Sequence, residues 1–176
     1  PPTPPPPSPP LPTSPPPPTR AFINEIKYLG GTGEGLEIAG PAGVDLSYYR
    51  VLLYEGEYGA QSGQVMLSGV IPDEDGLGYG AVWFNANLQD GQDWPDGVVL
   101  LDLTGTPSHP LLQFISYGGS FYATNGVASG YVATDIGVED DASPTNSLQL
   151  VGTGVGFAQF TWAGPRSRSD GFINND

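Results

Sequence analysis

His109 is the only histidine in the chain of 176 residues, and it is the first residue to consider for catalysis. A serine or cysteine nucleophile needs a neighbouring base, most often histidine, to activate it. His109 lies in "GTPSHPLLQF", and the chain has no cysteine and no Gly-x-Ser-x-Gly motif. A loop histidine is therefore the favoured interpretation, and a zinc site of several histidines or cysteines is excluded within this chain.

Two glycine-rich stretches, "GTGEG" at residues 31–35 and "GTGVG" at residues 152–156, superficially resemble phosphate-binding loops. A phosphate-binding loop normally leads into a helix, whose N-terminus holds the anion. Each of these stretches leads instead toward a run of strand character. We therefore predict turns, and "DLTG" at Asp102 is likewise not the Asp-Thr-Gly of an aspartic protease.

Clustered carboxylates offer a different chemistry. The sharpest cluster is Asp90, Asp93 and Asp96 in "QDGQDWPDG", and acidic residues also gather at 73–75 and 139–141. Calcium takes six to eight oxygen ligands from such loops, although no cluster has the spacing of an EF-hand. Solvated turns are the favoured interpretation and a calcium site on Asp90, Asp93 and Asp96 is the alternative; no cofactor is predicted.

The aromatic residues divide into two predicted groups. Core positions are expected for the aromatics in strand-like runs, which are Trp83, Phe84, Phe114, Phe160 and Trp162. Positions in or near loops are expected for Tyr48, Tyr49, Tyr58, Trp94, Phe121, Tyr122 and Tyr131. Loop aromatics can stack on sugars or on proline rings, and partial burial is the simpler alternative.

Charge limits the possible partners. The chain has 19 acidic and five basic residues, a formal net charge of −14, so it lacks the basic face that nucleic acid or an anionic membrane surface requires. It also lacks a run of about 18 apolar residues, which excludes insertion of a helix into a bilayer. Neither nucleic acid nor membrane insertion is therefore predicted.

The elements that must position these residues are short apolar runs separated by glycine. Nine such runs follow Ala21, from "FINEIKY" to "AQFTWAG", and their length and punctuation predict an all-β sandwich or barrel. The run "VVLLDL" is apolar on both faces, which predicts a central strand that is covered on both sides. Alternation within "SLQL" predicts that Leu148 and Leu150 are buried.

A proline-rich segment, residues 1–20, precedes this region and forms a separate unit from residues 21–176. Residues 1–19 hold 13 of the 20 prolines and no charge. Contiguous prolines favour polyproline II, which rises about 3.1 Å per residue and would make residues 1–19 a rod of roughly 60 Å. We therefore expect an extended polyproline II segment ahead of the sandwich.

Residues 21–176 resemble the lamin-tail domain, an immunoglobulin-like β-sandwich, in the form found in secreted and surface proteins. The resemblance rests on "FINEIKY", "GLEIAGPAGVDLSYYRVLLYEG", "PDG" before "VVLLD", "QFISYGGSFYATNG", "TDIGV", "SLQLVGTG" and "FTWAGP". It implies such a sandwich, of about nine strands, and a non-catalytic binding or structural role. The chain departs from the family at "SDGFINND", where Asp170 replaces a proline, and in its more acidic loops.

The proline-rich segment resembles the Ser-Pro-Pro-Pro-Pro blocks of hydroxyproline-rich (extensin-like) glycoproteins, in which hydroxylated prolines carry short glycans. Because the chain has no N-glycosylation motif, any glycan is expected to be O-linked. The candidate positions for glycosylation or assembly are Thr3, Pro4, Pro5, Pro6, Pro7, Ser8, Thr13, Ser14, Pro15, Pro16, Pro17, Pro18 and Thr19.

Two functions remain open. The favoured one is a non-enzymatic extracellular or cell-surface structural protein, a subunit of a fibre or filament in which the proline-rich segment contacts neighbouring subunits of the same kind. The alternative is an accessory binding domain of a larger secreted nuclease or hydrolase, with the proline-rich segment as a linker.

Overall fold

The structure is a computed structural model, and it describes residues 20–105, 110–154 and 156–174. The described residues form two five-stranded β-sheets packed as a sandwich, which confirms the predicted all-β sandwich. The proline-rich segment 1–19 and His109 lie outside the described residues, so the predictions for them stay predictions.

Ten strands build the two sheets. They are β1 (Phe22–Lys27), β2 (Gly35–Pro41), β3 (Tyr49–Glu55), β4 (Ala60–Met66), β5 (Tyr79–Asn85), β6 (Asp96–Asp102), β7 (Leu111–Tyr117), β8 (Thr134–Asp135), β9 (Asn146–Val151) and β10 (Thr161–Ser167). Sheet 1 has the order β10-β9-β1-β2-β5, and sheet 2 has the order β4-β3-β6-β7-β8. Neighbouring strands are antiparallel except for β7 and β8, which pair in parallel.

The main core lies between the sheets. Branched aliphatic side chains such as Ile26 and Ile38 from sheet 1 meet Val98, Leu100 and Ile115 from sheet 2, and all are almost completely buried. These residue types favour strands because their χ1 angles are restricted and they pack well on a pleated surface. Burial of this apolar surface is the main stabilising contribution to the sandwich.

The central position predicted for "VVLLDL" is confirmed. These residues belong to β6, which lies between β3 and β7 in sheet 2. Val98 and Leu100 face the main core, whereas Val99 and Leu101 belong to a second apolar cluster on the outer face, the face that points away from the other sheet. Both faces of β6 are therefore buried, as the double apolar pattern indicates.

Three boundaries differ from the sequence prediction. Strand β4 ends at Met66, whereas the apolar run "QVMLSGV", one of the nine predicted strands, continues to Val70. Leu67 and Ile71 are buried in the following loop rather than in a strand. The first two residues of the run "AQFTWAG" belong to a 3₁₀ turn, Phe157–Gln159, and β10 starts only at Thr161. Strand β8 was missed because two residues are too short to show alternation.

Leu148 and Leu150 are buried as predicted, but so are the alternating residues Ser147 and Gln149. All six residues of β1 are also buried, including Glu25 and Lys27. Sheet 1 is thus covered on its outer face as well, and the cover there includes polar groups.

Candidate functional site

An acidic cleft lies at one end of the sandwich. It is open, has a volume of about 600 Å³, and is lined by parts of the β1–β2 turn, the β3–β4 hairpin and the β5–β6 loop. Its acidic residues are Glu34, Glu55, Glu57, Asp90, Asp93 and Asp96, and the half-exposed ring of Trp94 lies among them. The structure therefore places the three predicted calcium candidates around one cleft.

Three carboxylates of this cleft, those of Asp96, Asp90 and Glu34, accept hydrogen bonds from nearby backbone groups. Asp96 is buried at the start of β6, and its side chain accepts hydrogen bonds from the backbone N–H groups of Gly91 (3.1 Å) and Gly56 (3.3 Å). Burial is the main reason that the pKa of Asp96 is raised. Asp90 accepts a bond from the Gln92 N–H at 3.2 Å, and Glu34 one from the Gly31 N–H at 2.6 Å.

Within residues 20–105, 110–154 and 156–174, no three His, Cys, Asp or Glu side chains come together in a way that could hold a metal ion. The three aspartates share the cleft but are not shown converging on one point. Calcium binding at Asp90, Asp93 and Asp96 stays a prediction.

A tyrosine surface lies beside the β3–β4 hairpin; we define it as Tyr58, Tyr122, Tyr131 and Val132. Tyr122 and Val132 are cross-strand partners in a short irregular hairpin, so their side chains project to the same side. The backbone of Tyr58 and Gly59 adjoins this hairpin, because the Thr124 hydroxyl donates to the Tyr58 carbonyl at 2.8 Å.

All four residues of the tyrosine surface are substantially exposed, from 45% for Tyr131 to 64% for Tyr58. The approach of the two segments is fixed by Gly59, where any side chain would collide with the Tyr122 carbonyl oxygen. The tyrosine surface therefore exposes aromatic rings with hydroxyl groups on two segments whose approach is fixed.

The other aromatic predictions had mixed outcomes. The predicted loop positions of Tyr49 and Phe121 do not make them exposed, since both are buried; Tyr49 begins β3, and Phe121 packs under the outer face of sheet 2. Phe114 is in a core as predicted, while Trp83 and Phe84 are only partly buried because β5 is the edge strand of sheet 1.

The first glycine-rich stretch lies where its residue types predicted. "GTGEG" is a turn leading into β2, with Gly31 and Gly33 in the left-handed region at φ +69° and +77°. Asp102 of "DLTG" ends β6 and accepts bonds from the N–H and hydroxyl of Thr104 at 2.9 and 2.6 Å. Its carboxylate thus stabilises the local turn.

The sequence analysis missed a buried ion pair. Lys27 and Asp140 are fully buried, and the Lys27 Nζ is 2.6 Å from Asp140 Oδ1. The Asp140 carboxylate also accepts the backbone N–H groups of Tyr28 (3.0 Å), Leu29 (2.9 Å) and Ala142 (3.1 Å). The signal available in the sequence was a lysine inside the apolar run "FINEIKY", but its partner lies 113 residues away.

A second polar group was also missed. Glu25 of β1 and Glu37 of β2 are cross-strand partners on the outer face of sheet 1, and both are fully buried. Their side chains bond to the chain segment that follows β10. Nothing in the local pattern of either strand identifies the segment that covers them.

Comparison of the chain with protein-family models, with curated proteins and with solved structures found no match. No helix in the described part of the chain is long and apolar enough to span a membrane.

Proposed function

We propose that this chain is a non-enzymatic, extracellular structural protein, a subunit of a surface fibre or filament. Its folded part is an immunoglobulin-like sandwich of the lamin-tail type, and its proline-rich segment, which carries O-linked glycans, binds a neighbouring copy. The single observation that carries this proposal is the separation of charge from proline along the chain, because residues 1–19 are neutral and the remainder carries a net charge of −14.

This separation bears directly on assembly. Two folded domains of the same strong negative charge repel each other, most of all at low ionic strength. A neutral segment can approach such a domain without that repulsion. Polyproline II is also stiff before it binds, so ordering it on a partner costs little conformational entropy.

The tyrosine surface is the docking surface that we propose for the segment of the neighbouring copy. Aromatic rings with exposed hydroxyl groups pack on proline rings and donate to the exposed backbone carbonyls of polyproline II. Tyr58 and Tyr122 provide such exposed rings on adjoining segments, and Tyr131 adds a third exposed ring on the same short hairpin as Tyr122. Binding of one copy's segment to the next copy generates an open filament unless the rotation between copies closes a ring.

Replacing residues 1–19 with a glycine-serine segment of the same length tests the proposal. The replacement keeps a tether but removes the polyproline rod, and we expect assemblies larger than a monomer to be lost in sedimentation velocity and electron microscopy. Deletion of residues 1–19 should have the same effect. Assemblies that survive both changes would contradict the proposal.

The docking surface has its own test with a matched control. We expect the double substitution Tyr58→Ala and Tyr122→Ala to weaken assembly, since it removes two exposed rings without opening a core. Tyr48→Ala is the control, because Tyr48 is also about half exposed but precedes β3 at the opposite end of that strand. Equal assembly by the double variant and the control would rule out this surface.

O-glycosylation is tested by intact-mass spectrometry of protein from its natural source. We expect a mass above that of the bare chain, in steps that correspond to sugar units or to hydroxyl groups on proline. A mass equal to that of the bare sequence would contradict this part of the proposal.

The second candidate function is an accessory binding domain of a larger secreted nuclease or hydrolase. The acidic cleft with Trp94 favours it, since an exposed indole beside hydrogen-bond acceptors is a common arrangement for binding a polar ligand. Under this alternative, the proline-rich segment is a linker, and its replacement by glycine and serine leaves the behaviour of the folded domain unchanged.

A further inference from the structure

The chain segment after β10, Ser169–Asn174, crosses the outer face of sheet 1, and we name it the C-terminal strap. Three carboxylates from three different elements accept its alternate backbone N–H groups: Glu25 of β1, Glu37 of β2 and Glu74 of the 3₁₀ turn Glu74–Gly76. The bonds are Ser169 N to Glu25 at 3.3 Å, Gly171 N to Glu37 at 2.7 Å, and Ile173 N to Glu74 at 2.9 Å. The strap is thus bound by side chains instead of by a neighbouring strand, and it contains a turn in which the Phe172 N–H donates to the Ser169 carbonyl at 2.8 Å.

Further bonds hold both ends of the strap. The Ser169 hydroxyl donates to Glu25 at 2.7 Å, and the Asn174 amide donates to the carbonyls of Asn24 (2.9 Å) and Leu150 (2.8 Å). Ile173 adds an apolar contact with the cluster on this side of the sheet.

The charges around the three carboxylates are unbalanced. The ion pairs formed between described residues are Lys27–Asp140 and Arg168–Asp170, and neither includes Glu25, Glu37 or Glu74. Arg168 binds Asp170 with two bonds and also lies 4.8 Å from the centre of the Trp83 ring on β5.

Two further charged residues lie near these carboxylates, Arg166 and Asp170. On β10, Arg166 pairs in register with Ser147 of β9, the serine whose hydroxyl bonds Glu25. Asp170 of the strap adds a further negative charge near Glu25. Three carboxylates therefore share a buried face on which full ionisation of all three is unfavourable.

The pKa of Glu37 is raised to about 9, mainly by burial and also by the charges of Glu25 and Glu74, against the lowering effect of hydrogen bonds from Asn24 and Gly171. Burial also raises the pKa of Glu25. At neutral pH, Glu37 therefore holds its proton while the strap is in place.

We propose that the C-terminal strap is a pH-gated cover, which stays closed over sheet 1 while Glu37 is protonated and opens when all three carboxylates are ionised. Opening lets water hydrate the carboxylates, which removes the cost of burying them as anions. This inference does not depend on the proposed filament function.

The sign of the effect follows from linkage. Because the closed state raises the pKa of Glu37 above its ordinary value of 4.5, closing is linked to proton uptake and is favoured at lower pH. Between about pH 4.5 and pH 9, each further pH unit therefore weakens closing by up to about tenfold, and the effect levels off above pH 9.

Carbon-detected NMR of the full chain between pH 6 and 10 tests the gate, because it needs no amide proton and works at alkaline pH. We expect the carboxyl carbon of Glu37 and the carbonyl carbon of Gly171 to change together, with one midpoint that lies well above 4.5 and no higher than about pH 9. The signals of the main core, such as those of Val98, should stay unchanged. Titration of Glu37 near its ordinary value, or a Gly171 signal that does not follow Glu37, would overturn the inference.

Glu37→Gln provides the variant, since the amide mimics the protonated carboxyl and can still accept the Gly171 N–H. The new side-chain NH₂ group at position 37 can donate to the Asn24 amide oxygen once the Asn24 amide has rotated. We expect the Gly171 signal of Glu37→Gln to remain in the closed position up to pH 10.

Glu57→Gln is the matched control, because Glu57 is exposed at the acidic cleft and the substitution removes the same charge. It should show the wild-type transition. A transition in Glu37→Gln equal to that of the control would refute the gate, and if Glu37→Gln fails to fold, the wild-type titration alone decides.

Discussion

The outer faces of the two sheets are both covered, but by different chemistry. On sheet 2, the residues between β7 and β8 cover the outer face and place Phe121, Ala123, Ala128 and Ala133 on the apolar side chains of β3, β6 and β7. On sheet 1, the C-terminal strap bonds to carboxylates. The cover of sheet 2 depends mainly on contact between apolar side chains. The cover of sheet 1 depends on hydrogen bonds whose strength depends on protonation.

This difference teaches that a covered face need not be an apolar one. An apolar cover responds mainly to loss of volume, and the cover of sheet 2 contains no buried carboxylate. A polar cover tolerates modest changes of shape but fails when a partner is lost or changes charge. Four perturbations separate these behaviours.

Lys27→Met should have the largest effect, because it leaves the fully buried Asp140 carboxylate without its cation. Breaking one side of a buried ion pair costs about 3–5 kcal/mol, and we expect the free energy of unfolding in urea to fall by that amount. Arg20→Met is the control, since Arg20 is an exposed cation just before β1. A similar small effect for both would mean that the pair contributes little.

Phe121→Ala should come next. Phe121 is buried on the outer face of sheet 2, where its ring lies edge-on to Phe114 with 5.5 Å between the centroids. Truncation of a buried phenylalanine costs about 3–5 kcal/mol, and we expect the lower part of this range because the covering loop can partly collapse. Tyr122→Ala, at the exposed neighbouring position, should cost under about 0.5 kcal/mol.

Asn174→Ala should have an intermediate effect, on the polar cover only. It leaves the carbonyls of Asn24 and Leu150 without their side-chain donor, which costs about 1–3 kcal/mol when such groups remain buried. Hydrogen exchange should show faster opening of the strap, with the outer face of sheet 2 unchanged. Asn87→Ala, at an exposed position of the acidic cleft, is the control.

The pH dependence of the free energy of unfolding should be the smallest of the four effects when it is counted per pH unit. The folded state raises the pKa of Glu37 from 4.5 to about 9, so it binds more protons than the unfolded state between these values. Stability should therefore fall as pH rises through this window, by up to about 1.4 kcal/mol per pH unit from this group. Glu37→Gln should flatten the slope in urea titrations, and an unchanged slope would contradict the assignment.

The sequence predicted those parts of the fold that depend on local pattern. Short β-branched runs between glycines identified most strands, and the double apolar pattern of β6 correctly indicated cover on both sides. The burial of Tyr49 and Phe121 was not predicted, because loop character does not show which loops fold back over a sheet. In physical terms, alternation reports that a face is buried but not what buries it.

The candidate site was predicted only in part. Tyr58, Tyr122 and Tyr131 were recognised as loop aromatics, and Asp90, Asp93 and Asp96 do line one cleft. The ion pair of Lys27 with Asp140, and the bonds of Glu37 to the strap, join residues that are more than 110 positions apart. Single-sequence reasoning has no spacing rule for such contacts.

One consequence concerns the edges of the sheets. Strand β8 lies alongside β7 for only two residues, the edge strand β10 contains Pro165 and a register shift, and the edge strand β4 is mostly polar. Short, irregular or polar edges offer few free backbone groups to a strand of another molecule. The remaining edge, β5, is a regular strand of seven residues, so copies packed closely together would meet strand to strand at β5 before any other edge.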